Sequence, residues 1–170
     1  MADHAATLRS DPAGFVAAGS LDATDLLLCR AGRQLHAIPI EHVNEIMRAP
    51  PVEPIAGAPA SVLGLCVIRG VPVPVVDAGL LVGQATTQSG RLISLKVGDR
   101  RIALAVDAVL GIRRFGTDTF RQLPPLLRDV AGETLAAVGA RDAELMFTLR
   151  AARIVPDGVF DQLEREGGEE

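Results

Sequence analysis

The side chains in this chain that are able to do chemistry are few: three histidines, two cysteines and one carboxylate in a turn. His4 lies near the N-terminus, and His36 and His42 flank Ile38 to Ile40; no spacing of Cys, His or Asp matches a zinc site, so all three read as surface or half-buried histidines. Cys29 and Cys66 sit inside apolar runs, outside any Cys-x-x-Cys pair, and read as buried free thiols of a reducing compartment. Phosphate loops, nucleophile elbows and dinucleotide fingerprints are absent from the sequence. One arrangement has a catalytic shape, the apolar run Val75-Val76 followed by Asp77-Ala78-Gly79. A carboxylate so placed needs a second one to share its proton, and the chain offers none in a matching Asp-Gly setting. The plainer reading is that Asp77 ends a strand and caps the glycine-containing turn after it. No metal and no cofactor is therefore expected.

Elements that would position these residues are mostly short apolar runs separated by Gly, Pro, Asp and Arg. Leu26 to Arg30, a turn at Ala31-Gly32 and Gln34 to Ile40 form a hairpin pattern; Val71–Val76, Arg91–Val97, Arg101–Val106 and Leu145–Leu149 are further strands. Pro72 and Pro74, two apart, remove N–H groups from the same side and mark that strand as a protected edge. Asp11-Pro12 followed by Gly19 has the chemistry of a short N-terminal helix, and Val159, Phe160 and Leu163 are spaced for a C-terminal helix docked by one face.

The chain also repeats itself. A shift of 66 residues lays Leu26 on Leu92, Gly32 on Gly98, Ile40 on Val106, Val43 on Val109, Ile46 on Ile112 and Arg48 on Arg114. Beyond that the correspondence loosens to a shift of about 72, with Arg69 on Arg141 and Val73 on Leu145. Two lobes of that size bury too little surface to stand alone, so they must share a core, and the groove between them is the expected place for a partner. The organisation expected is an extension over residues 1–24, a paired domain over 25–155 divided near residue 90, and a short helix with an acidic tail over 156–170.

Composition narrows the function. The 170 residues include five Phe but neither Tyr nor Trp, which removes the stacking platforms of single-strand nucleic-acid binders and the aromatic cages of quaternary ammonium readers. A net charge of −4 argues against nucleic acid in general. Five acids in residues 161–170 carry that charge, whereas six Arg stand against two Asp from Arg100 to Arg128. Those arginines read as solvated charges before they read as a docking face for an acidic protein. The N-terminus lacks a secretory pattern, and the uncharged run from Pro54 to Ile68 is too short and too broken to span a bilayer, so no membrane insertion is expected.

Four stretches carry a resemblance. They are Ala37-Ile38-Pro39-Ile40 followed by Val43-x-Glu45-Ile46; Pro59-Ala60-x-Val62-x-Gly64; Ile68-Arg69-Gly70 leading into Val73-Pro74-Val75-Val76-Asp77; and Val106-Asp107-x-Val109. In this order and spacing the chain resembles the CheW family of bacterial chemotaxis adaptors from Asp25 to about Val155. The resemblance implies an all-β fold of two tandem five-stranded SH3-like barrels packed together, with short helical pieces at the termini. It implies a cytoplasmic, non-enzymatic adaptor on membrane-anchored receptor arrays. Its partners would be the cytoplasmic tip of a chemoreceptor, in the groove between barrels, and the regulatory domain of the histidine kinase CheA, on a barrel end. By position Val43, Glu45, Arg69, Gly70 and Val109 fall at partner-binding surfaces, with Glu45 and Arg69 as a surface pair. The flanking residues are expected to be too few for a phosphoacceptor receiver domain. Departures from the family pattern are Val67, Ala78-Gly79 and His36, where Asn, Leu-Arg and Tyr are usual, and all are expected near the binding surface. Two other readings remain: a scaffold of an accessory chemosensory array with lost or altered receptor binding, and a dimer resembling aspartic proteases that uses Asp77. Any receptor groove is expected to be aliphatic, with Arg69 as its polar anchor.

Overall fold

A computed structural model describes residues 23–88, 90–122, 125, 135–141, 144–149, 154–155 and 157–167. The expected N-terminal helix and the last acidic residues lie outside that set. Eleven strands are described: β1 (Ala23–Ala31), β2 (Gln34–Pro39), β3 (Val43–Arg48), β4 (Val62–Ile68), β5 (Val71–Asp77), β6 (Arg91–Val97), β7 (Arg100–Val106), β8 (Ala108–Gly116), β9 (Phe120–Gln122), β10 (Leu135–Arg141) and β11 (Glu144–Leu149). Two α-helices join them, α1 (Ala78–Leu81) and α2 (Asp157–Gly167). One sheet runs β8-β1-β2-β11-β10-β9 and the other β3-β6-β7-β5-β4. Two sheet units are described, one of them carrying the three-residue strand β9 as a sixth member.

The repeat is visible in the backbone. Gly32 and Gly98, matched by the 66-residue shift, open equivalent hairpin turns at φ +60° and +61°. Ala31 pairs with Gln34, which moves the first turn to Gly32-Arg33, one residue beyond its expected place. In the later half, Ile68 pairs with Val71 across one turn and Arg141 with Glu144 across its counterpart. The shift there is therefore 73, and Arg69 does not correspond to Arg141. One residue matters, because it exchanges the two faces of a strand.

Each sheet takes strands from both halves of the chain. β1 and β2 share a sheet with β8, β9, β10 and β11, while β6 and β7 share one with β3, β4 and β5. Two equivalent parallel contacts stitch the exchange, Ala37 with Thr148 and Ala103 with Val75. The division near residue 90 separates repeats and does not separate sheets.

Alternation explains the core. In β1, Leu27 and Cys29 enter the cluster shared by both sheets, with Ile93, Leu95, Leu104 and Phe147. Leu26 and Leu28 turn to a small core inside their own sheet, with Leu35, Phe115 and Met146. A strand buried on both faces reads as an unbroken apolar run, which is why Leu26–Cys29 shows no alternation in sequence. The other sheet has its own small core of Cys66, Ile68, Val73, Val75, Leu92 and Ala103. Helix α2 seals the shared cluster with Val159 and Phe160. It is fastened where Arg100 pairs with Asp157 at 2.5 Å and lies over the Phe160 ring at 4.5 Å.

The expectation that β5 is an edge strand is overturned, since β5 lies between β4 and β7. Its pairing with β7 starts only at Val75, after both prolines. Pro72 and Pro74 oppose Val67 and Leu65 of β4, alternate positions whose N–H groups point away from the partner strand. The missing donors therefore cost the ladder nothing.

Candidate functional site

Asp77 is fully buried and fully used. One carboxylate oxygen accepts from Leu80 N at 3.0 Å, and the other accepts from Thr87 N at 3.0 Å and Thr87 Oγ1 at 2.8 Å. It caps α1 and fastens the loop after it, with no lone pair turned to solvent for a shared proton. Asp77→Asn is expected to cost about 2–3 kcal/mol, because an amide donor then faces donors. Urea unfolding checks this, and a peptidase assay is expected to read zero before and after the change.

The other reactive side chains are withdrawn as well. Cys29 is buried, and desolvation pushes its thiol up to about 12. Cys66 is also buried and its thiol is raised by the same cause. Among the described residues no three His, Cys, Asp or Glu side chains are gathered for a metal ion. His36 departs from expectation: it has no exposed surface, and neither ring nitrogen has a hydrogen-bond partner. Its strand lies at the shared core, with Cys29 opposite on β1 and Phe147 opposite on β11. Desolvation pulls its pKa down to about 4.

Three arginine–carboxylate pairs with two-point geometry are described, Arg30–Glu144, Arg114–Asp25 and Arg69–Glu45, and the last joins residues singled out by the sequence motifs. Arg69 donates from Nε to Glu45 Oε1 at 3.1 Å and from NH2 to Oε2 at 3.0 Å, the bidentate arrangement that a planar guanidinium favours. Glu45 stands on β3, and Arg69 follows β4, so the pair joins the two ends of the five-stranded order. On a flat sheet those ends would lie roughly 14–19 Å apart. The pair therefore reports that the sheet curls toward closure. Arg69 is also the sole described non-glycine residue at positive φ, +51°, followed by Gly70 at +76°. Two left-handed residues between paired strands make the tight hairpin turn that matches strand twist, and a β-substituted residue in the first of them is strained. The arginine side chain is 73% exposed and the Glu45 side chain 24%. Hydrogen bonds from Arg69 hold the Glu45 carboxyl below its usual range, and the charges of Arg69 and Arg101 add to the effect.

Of the residues picked out in the sequence, Glu45, Arg69 and Gly70 thus come together at one end of the curled sheet. Val43 lies two residues from Glu45 on β3, half-buried against the shared core. Val109 occupies the equivalent place on β8 in the other sheet, packed against that same core, and does not join the pair.

Side chains of both sheets contribute to one core cluster. A cleft of about 410 Å³ lies within the five-stranded unit, lined by Pro50, Pro51, Glu53, Leu65, Val67 and Pro72. Another of about 290 Å³ lies within the six-stranded unit, where Leu26, Pro39, Phe115, Phe120 and Leu149 meet. Neither crosses from sheet to sheet, so the expected groove between lobes is not where these clefts formed. The first is aliphatic and runs beside Val67, which is 63% exposed two residues before Arg69. Pro50 and Pro51 carry no signal of a cleft in the sequence, where a Pro-Pro pair after a strand reads only as a stiff loop. The departures at Ala78, Gly79 and His36 are buried, contrary to expectation. A Cβ on Gly79 would stand 2.0 Å from the Ala85 carbonyl oxygen, so that position answers to packing. Val67 alone of these departures is on the surface.

The family described as CheW-like domain matches residues 25–158, from the second residue past the start of β1 into α2. The chain belongs to the CheW family. A chemotaxis protein CheW of Rhizobium meliloti (strain 1021) is 29% identical over 145 residues, covering 84% of this chain and 90% of that protein. Protein FrzA of Myxococcus xanthus is 28% identical over 130 residues, 75% of this chain and 81% of its own. The scaffolding protein TtCheW from Thermoanaerobacter tengcongensis has the same fold, with a TM-score of 0.67 at 18% identity, covering 75% of this chain and 88% of that one. This CheW-like chain is accordingly a non-enzymatic scaffold, in keeping with the structural use made of Asp77. Among the described residues no helix is long and apolar enough to cross a membrane.

Proposed function

We infer that this CheW-like protein couples chemoreceptors to the histidine kinase CheA in the cytoplasm, at arrays anchored by the receptors. The observation that carries the reading is the Glu45–Arg69 pair: an exposed arginine, held bidentately on a strained turn, presents its remaining donors in a fixed direction. Such a group suits recognition better than stability, because exposed pairs stabilise by only about 0–1 kcal/mol. Val43, Glu45, Arg69, Gly70 and Val109 are the residues assigned to partner surfaces. Residues 25–155 form the working unit, flanked by the 1–24 extension and the 156–170 helix and tail.

A second reading is service in an accessory array, favoured by two observations. Val67 presents an apolar side chain beside Arg69, and relatives of similar identity include FrzA as well as a chemotaxis CheW. Reconstitution tests both. Purified chain, receptor cytoplasmic fragments and CheA are mixed, and kinase autophosphorylation is followed. Formation of a ternary complex that changes the kinase rate supports coupling; kinase binding without receptor binding supports the accessory reading; binding to neither defeats both.

A further inference from the structure

Beside the Glu45–Arg69 pair the chain places two more cations where folding gains nothing from them. Lys96 near the end of β6 and Arg101 near the start of β7 are directly opposed in the antiparallel register. Like charges directly opposed on neighbouring strands destabilise a sheet. Both share the face that buries Leu92, Ser94 and Ala103 further along the same strands, so they stand at the mouth of the small core of the five-stranded unit. Ser94, two residues before Lys96, is opposite Glu45 on β3, which brings that carboxylate to the same mouth. Arg101 acts on Glu45 by its charge.

Three other arginines of the same stretch of sequence, two of them in the other sheet, are occupied. Arg100 is paired with Asp157, Arg114 with Asp25, and Arg113 donates to the Ile112 carbonyl. Among the described residues neither Lys96 nor Arg101 has a carboxylate within ion-pair distance. Arg69 and Arg101 thus both act on Glu45, while among the described residues Lys96 is in no ion pair.

We propose that this mouth is a docking surface for an acidic protein face, on which Lys96 and Arg101 take carboxylates of the partner while Arg69 stays held by Glu45. A polyphosphate or nucleic acid fits it poorly, because Glu45 stands within the cluster and the chain as a whole carries a net charge of −4. The proposal rests on the adaptor reading above and adds the chemistry of the partner. It also has a signature that a purely structural role lacks. Lys96→Glu converts the opposed cations into a cross-strand ion pair, so it raises the melting temperature, by about 1–3 °C, while it weakens binding.

The test uses the full chain with receptor cytoplasmic fragments and the kinase regulatory domain as separate probes, titrated between about 50 and 300 mM salt. Expected for at least one probe is an affinity that falls with salt and drops tenfold or more in Lys96→Glu/Arg101→Glu, with the fold intact. Unchanged affinity for both probes in that variant, when wild type binds at least one, overturns the docking surface and leaves the adaptor reading standing. Wild type that binds neither probe overturns the adaptor reading, and the docking surface falls with it.

Discussion

Arg69→Glu is expected to lower affinity for at least one partner by about 30-fold or more while the melting temperature moves little. The large effect follows from what arginines do at interfaces: as anchors they commonly account for 2 kcal/mol or more of binding, and here the charge is reversed as well as removed. The small effect on stability follows from exposure, since the pair it breaks lies largely in water. A companion variant separates recognition from turn geometry. Arg69 sits at φ +51°, where glycine carries no steric penalty, so Arg69→Gly relieves strain and leaves the hairpin at least as stable. It is expected to bind as poorly as Arg69→Glu. Exchanging the pair, Glu45→Arg with Arg69→Glu, restores the intramolecular bond but not the direction of the donors. Calorimetric titration checks all three, and wild-type affinity in Arg69→Glu and Arg69→Gly would remove Arg69 from the interface.

Acid is expected to weaken the fold through His36. Its folded pKa of about 4 lies below the ordinary value of 6.5, so the unfolded chain takes up a proton that the folded chain refuses. The stabilising effect of keeping the ring neutral is complete above pH 6.5 and declines as pH falls from there toward 4. Between pH 7.5 and 5 the loss is about 2 kcal/mol, or roughly 4–8 °C in melting temperature. Carboxylates held below their usual range, such as Glu45 and Asp25, contribute in the same direction, but at lower pH. The interval from pH 6.5 to 5 therefore belongs chiefly to the histidine. His36→Phe is expected to flatten that limb. It leaves stability at pH 7.5 nearly unchanged, because losing an unpaired N–H offsets the larger ring. A series of urea titrations against pH reads the slope directly; an equal slope in His36→Phe would place the acid sensitivity elsewhere.

The candidate site was partly legible in the residue string. Glu45, Arg69 and Gly70 stand in motifs whose order carries the family, and a two-residue interval between apolar strands forces a tight turn. Lys96 and Arg101 could have been found as well, since they lie two residues either side of Gly98-Asp99 and a two-residue hairpin loop opposes such positions. Their position is legible but their role is not, because charges at a strand end ordinarily mean only solvent. Five strands, β3, β4, β8, β9 and β10, stand outside the expected set, and three of them for clear physical reasons. β8 interrupts its alternation with Gly111 and Arg113-Arg114, β10 is rich in Ala and Gly, and β4 holds Gly64 in mid-strand.

His36 shows where local reading ends. An imidazole in an alternating strand looks half-exposed, because histidine has a polar rim and a strand ordinarily has one wet face. Its burial comes from the second sheet closing over that face, and no neighbour in sequence announces it. The same holds for Pro72 and Pro74, which mark a local edge correctly and yet lie in a strand between two others. By itself the amino-acid order determined the first hairpin, the repeat and the short apolar strands between Gly, Pro and charged residues, all of which depend on nearest neighbours and side-chain type. Only the tertiary structure decided that the repeats exchange strands, that one sheet curls until Glu45 meets Arg69, and that the two sheets share one core cluster. Those outcomes depend on which apolar faces meet, and many pairings of alternating strands satisfy the same local pattern until the faces are packed together.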